Sequence, residues 1–125
     1  MNEEASVTFD EHYRMSYNSN TNTLTVAFGS KPTSKDHLVY IAKNQVNCLV
    51  DDIVSAQQNV TSGQALASKV LKITGPATNM ITAVIVAALH NRVKAIAMYD
   101  VDQAAYVIVT NKDGTYTVGS VFRGK

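Results

Sequence analysis

Between Val70 and Thr110 the chain spells a strand, a helix, a second strand, a turn and a returning strand, and a chain holding that unit has few ways to fold. The run from Lys69 to Thr74 is rich in β-branched residues and stops at Gly75-Pro76, which suits a buried strand. Pro76 fits the first turn of a helix, where its missing N–H is not needed, and Thr74 or Thr78 is a candidate cap. Apolar residues then recur at Met80, Ile81, Val84, Ile85, Ala88 and Leu89, the spacing of a helix with a wide apolar face. His90-Asn91-Arg92 suits its end. Val93 to Met98 reads as the next strand, Asp100 to Gln103 as a turn, and Ala104 to Val109 as an antiparallel return. A strand-helix-strand crossover makes its two strands parallel and its connection right-handed. Ligands of open α/β sheets sit beyond the carboxyl ends of such strands, which here are Thr74-Gly75-Pro76 and Tyr99 to Asp102. Ala77, Thr78 and Asn79, at the helix start, bring free N–H groups to the same corner.

The remainder supplies partners for that unit. Met1 to Asp10 reads as a loosely held end. Tyr13, Met15 and Tyr17 alternate with polar residues, as do Leu24, Val26 and Phe28, and the tract from Asn18 to Asn22 between them is all Asn, Ser and Thr, so a hairpin with one buried face is expected. Lys31-Pro32 ends it. Thr33 or Ser34 is the N-cap of a long helix to about Ala56, with a break near Asn47 left open. Gln57 to Ser68 reads as a polar connector holding an extra half-turn or a flexible arm, and Tyr116 to Phe122 as a last strand or strap. With 125 residues and no repeat or linker, the expectation is a single domain over residues 1–125. Its fold class is α/β (α+β), a two-layer sandwich in ββαβαββ order, with a mixed sheet and helices on one face.

A net charge of +1 argues against a duplex-DNA binder. The single cysteine, Cys48, excludes an intrachain disulfide, fits a reducing compartment and reads as a buried thiol. No leader opens the chain and no run has the length of a membrane span, so a cytoplasmic protein with no membrane partner is expected. No P-loop, Gly-x-Ser-x-Gly, paired-His helix or Cys-x-x-Cys is present.

The candidate chemistry gathers at the strand-end corner. Asp100 and Asp102 are either ligands for a divalent cation or turn formers. Thr74, Gly75, Thr78 and Asn79 either receive a phosphate or make an ordinary strand-to-helix junction. His90 is either a general acid or base or a dipole partner at a helix end. Tyr99, Tyr106 and Tyr116 either stack on adenine or pack.

Ile73-Thr74-Gly75-Pro76, a helix ending near His90, then Lys94 to Asp100, Tyr106 to Val109 and Tyr116 to Val121 resemble the small CRISPR-associated ring nucleases, in the C-terminal half of the chain only. That manganese-dependent family cleaves the second messenger cyclic tetra-adenylate. The resemblance implies a ferredoxin-like fold and puts Asp100 and Tyr99 on the family's strand-end pair; joined to the strand-end chemistry above, it leads us to expect a manganese or other divalent ion at Asp100 and Asp102, catalysis by Asp100, Asp102 and His90, and ligand binding at Thr74, Gly75, Thr78, Asn79 and Tyr99. It also implies a cyclic oligonucleotide or short RNA as ligand. Asp102 stands where the family has an Arg, and Asn111 and Lys112 fall where it has a His. Three activities follow from these matches and departures: metal-dependent cleavage of cyclic oligoadenylate, binding without cleavage as a sensor or sponge, and an oligomerisation or protein-interaction module. In each, the edge strands lead us to expect a homodimer or tetramer.

Overall fold

The computed structural model describes residues 5–8, 10–60, 63–112 and 114–123. Seven strands form one mixed sheet: β1 (Ala5–Thr8), β2 (Tyr13–Asn18), β3 (Thr23–Phe28), β4 (Leu71–Thr74), β5 (Ala95–Asp100), β6 (Ala105–Asn111) and β7 (Val121–Phe122). Their spatial order is their sequence order, so no strand is interleaved between others. The two crossovers, through α1 (Lys35–Gln58) and through α3 (Asn79–Leu89), make β3, β4 and β5 mutually parallel, and all other pairs are antiparallel. Both long helices pack together on one face, the two-layer α+β arrangement of the ββαβαββ reading.

The pleat sorts the side chains. Tyr13, Met15 and Tyr17 of β2, Leu24 and Val26 of β3, and Leu71 and Ile73 of β4 are buried under the helices, where they meet Ile41, Ile53 and Ile81. On the opposite face a small cluster of Val70, Ala95, Ala97 and Ile108 is covered by Tyr106, Tyr116 and Phe122. The C-terminal segment is therefore a strap ending in a two-residue strand. Between that strap and β2 no helix among the described residues covers this face of the sheet.

Several expectations are corrected. Part of the supposedly loose N-terminal end is β1, paired antiparallel with β2 over Ala5 to Thr8, because the alternating Ser6 and Thr8 continue the pleat of the hairpin; residues 1–4 and Phe9 lie outside the described residues. The connector holds a one-turn helix, α2 (Leu66–Lys69), so the strand begins at Leu71 rather than Lys69; Thr61 and Ser62 lie outside the described residues. α3 begins at Asn79 with Thr78 as its cap, accepting from Ile81 N at 3.2 Å. Pro76 thus stays in the loop, where its carbonyl accepts from Tyr13 Oη at 2.7 Å. β5 runs on to Asp100, because Tyr99 and Asp100 still pair with Tyr106 and Ala105. Ser34 caps an unbroken α1, and Cys48 lies exposed on its polar side rather than buried.

Candidate functional site

The pleat divides the residues expected at the strand-end corner. Tyr99 lies on the open face, its ring 5.2 Å from that of Tyr106, and its neighbour Asp100 alternates to the helix-covered face. Thr74 belongs to the open face as well, two positions beyond Lys72 on β4, and its hydroxyl bonds the Tyr106 phenol. Burial raises the Tyr106 phenol above its usual range, and that hydroxyl acts the other way. Thr78 and Asn79 sit with α3 on the helix side.

Gly75 is occupied by packing. At φ 116° its backbone passes so close to β3 that a Cβ would stand 1.9 Å from the Val26 carbonyl oxygen. Asp100 Oδ2 accepts from Gln103 Nε2 at 2.8 Å, which closes the turn, and Asp102 is exposed in that turn. His90 caps the C-terminus of α3, at the end where β5 starts, so the length of β5, about 16 Å, separates it from Asp100. Asp100, Asp102 and His90 are not brought together. Among the described residues no three His, Cys, Asp or Glu side chains gather, so this donor set does not fit a resident manganese ion.

The structure instead assembles a depression of about 430 Å³ on the open face, lined by Asn18, Thr21, Thr23, Thr25, Lys72, Tyr99, Ala104, Tyr106 and Arg123. Parallel pairing of β3 with β4 sets Thr23 against Lys72 and Thr25 against Thr74, a row of hydroxyls beside one ammonium. Lys72 is only 3% exposed. Its Nζ donates to the Thr21 carbonyl and, at 3.5 Å, to the Asn22 carbonyl. Burial pulls its pKa down from 10.5 to about 8, which still leaves it mainly charged at neutral pH.

The turn that offers those carbonyls is itself tied down. Asn22 takes φ 56°, and its Oδ1 accepts from Tyr17 Oη at 2.7 Å and from Gln57 Nε2 at 2.8 Å. Burial pushes the Tyr17 phenol up to about 12, so it stays a donor at all ordinary pH values. Among the described residues neither Asp nor Glu lines the depression, whereas Lys72 and Arg123 both do. The arrangement suits a phosphate against the ammonium and hydroxyls, with an aromatic base on Tyr99.

Sequence reading missed Lys72, Arg123 and the three threonines. One signal was legible: a lysine between the apolar Leu71 and Ile73 of a short buried strand demands an explanation. Its neighbours were not, because Thr23 and Arg123 reach it only through strand pairing and the strap. No helix among the described residues is long and apolar enough to cross a membrane. Compared with known proteins, the chain matches no family model and no curated protein.

Proposed function

We propose that this protein binds a cyclic oligoadenylate, the ligand class implied by the ring-nuclease resemblance, and holds it on the open face of the sheet. The observation that carries the reading is the buried Lys72 ammonium in a hydroxyl-lined depression beside Tyr99 and Arg123. A phosphodiester meets Lys72 and the Thr23 and Thr25 hydroxyls, Arg123 closes on it from the strap, and an adenine stacks on the Tyr99 ring. Arg14 stands on the same face of β2.

Cleavage of the bound ring is the second reading. The resemblance supports it, and Asp100 ends the strand that carries Tyr99. The separation of Asp100 from His90 and the charge reversal at Asp102 favour binding over cleavage within one chain. Self-association belongs to the same proposal: β1 and β7 are the sheet edges, and Val7 and Val121 are exposed on them.

The test mixes the protein with cyclic tetra-adenylate, with and without manganese, passes each mixture through a spin filter and chromatographs both fractions. Intact ring retained with the protein is the expected result. Linear fragments establish the second reading, and intact ring passing freely under both conditions sinks the proposal. Light scattering at high micromolar concentration is expected to give at least a dimer, and a monomer would end the self-association reading.

A further inference from the structure

A second cavity lies on the helix side of the sheet, and the case for it does not depend on the open-face reading. It holds about 370 Å³, beyond the carboxyl end of β3 and between the first turns of α1 and α3. Ligands of open α/β sheets collect at this position. Its lining has two characters. Phe28, Pro32 and Leu38 are apolar, whereas His12, Lys31 and Lys35 are cationic or ionisable.

The loop that makes the wall is firmly built. Gly29 N donates to the His12 carbonyl and Lys31 N to the Glu11 carbonyl, both at 2.9 Å, and a Cβ on Gly29 would stand 2.2 Å from the Glu11 carbonyl oxygen. That fold-back sets Lys31 beside His12. His12 Nδ1–H donates to the Lys31 carbonyl at 2.9 Å, and His37 Nδ1 bonds Thr33 Oγ1 at 2.9 Å, with the two rings 5.3 Å apart. Both imidazoles are therefore held through Nδ1 and keep Nε2 for another group.

A carboxylate from the neighbouring depression already stands beside Lys31 and His12. Glu11 places Oε1 3.7 Å from Lys31 Nζ and Oε2 3.8 Å from His12 Nε2, too far for strong bonds and largely exposed. Two other acids are nearby: Asp10 Oδ1 accepts from His12 N at 2.7 Å, and Asp36 is exposed in the first turn of α1. A ligand oxyanion in the cavity thus competes with Glu11 for Lys31 and His12, and one with more charge and more oxygens competes better. Inorganic phosphate alone leaves the apolar wall unused. Phe28 is 42% exposed although it ends a core strand, and its ring meets that of Tyr13 in a T-shaped contact at 5.3 Å.

We propose that this cavity is a site for a nucleoside monophosphate, with the base against Phe28, Pro32 and Leu38 and the phosphate between Lys31, Lys35 and His12. The test is calorimetric titration of the whole protein with AMP, adenosine and inorganic phosphate in turn. AMP is expected to bind at least about tenfold more tightly than either fragment, because each fragment fills only one half of the cavity. Lys31→Ala weakens AMP by about tenfold through loss of a charge-assisted bond. Glu11→Gln tightens it by about threefold, since it removes the competing carboxylate. That gain cannot come from damage to the fold. Lys72→Met removes only the AMP taken by the open face and leaves the Lys31-dependent binding unchanged, which separates the two sites. The proposal is overturned by no AMP binding at millimolar concentration, by phosphate equalling AMP, or by AMP affinity that follows Lys72 and ignores Lys31.

Discussion

Replacing Lys72 with Met tests whether the buried ammonium is kept for a ligand or for the fold. The drop in its pKa from 10.5 to about 8 on burial sets a ceiling of about 3 kcal/mol on what the charged form costs the folded state. Water entering through the open side of the depression screens part of this, so about 1–2 kcal/mol is expected. Met is close in length and carries no charge. The carbonyls that Lys72 Nζ reaches keep other donors: Asn22 O accepts from Lys72 N at 2.9 Å, and Thr21 O accepts from Thr23 Oγ1 at 3.2 Å. The substitution therefore leaves both of these carbonyls with a donor, and apolar replacements of such charges are often neutral or stabilising.

The expected result at pH 7 is a gain of about 1–2 kcal/mol by urea titration, or about 3–10 °C in Tm, together with loss of cyclic tetra-adenylate binding. The pH dependence follows from linkage. The folded pKa is depressed, so between about pH 8 and 10.5 the unfolded chain binds more protons than the native one, and wild-type stability gains on the variant as pH rises. The advantage of the variant is full below pH 8 and fades by 10.5. A variant less stable than wild type by more than about 1 kcal/mol would refute the reasoning, because it would make the ammonium a structural tie.

Three further outcomes follow from the geometry. Tyr99→Ala is expected to weaken cyclic tetra-adenylate by about 1–3 kcal/mol while moving Tm little, since the ring is 40% exposed; unchanged affinity by fluorescence anisotropy would take Tyr99 out of the site. Gly75→Ala should cost about 2–4 kcal/mol of stability by urea titration, from its φ of 116° and the Val26 carbonyl 1.9 Å from the new Cβ, and a loss below about 0.5 kcal/mol would contradict the close approach of β4 to β3. Cys48, exposed on α1, should react with a thiol reagent in the folded protein at nearly the rate of a free thiol, and protection until denaturation would place that face of α1 in an interface.

The sequence by itself determined the alternating hairpin of Tyr13 to Phe28, the helical spacing of both long helices, the parallel crossover at Gly75 and hence the two-layer α+β sandwich. These are local matters: period two against period 3.6, and caps such as Ser34 and Thr78 that act within one turn. Its corner of candidate residues was drawn along the chain, and a strand sends neighbours to opposite faces. Tyr99 and Asp100 are adjacent in sequence yet separated by the sheet, and His90 is set apart from Asp100 by the length of β5. Only the tertiary structure decided that Thr23 of the hairpin would stand beside Lys72, and that Arg123 of the strap would reach the same depression. Register and the path of the strap are set by long-range pairing and by how much surface two helices can cover. No local pattern encodes either.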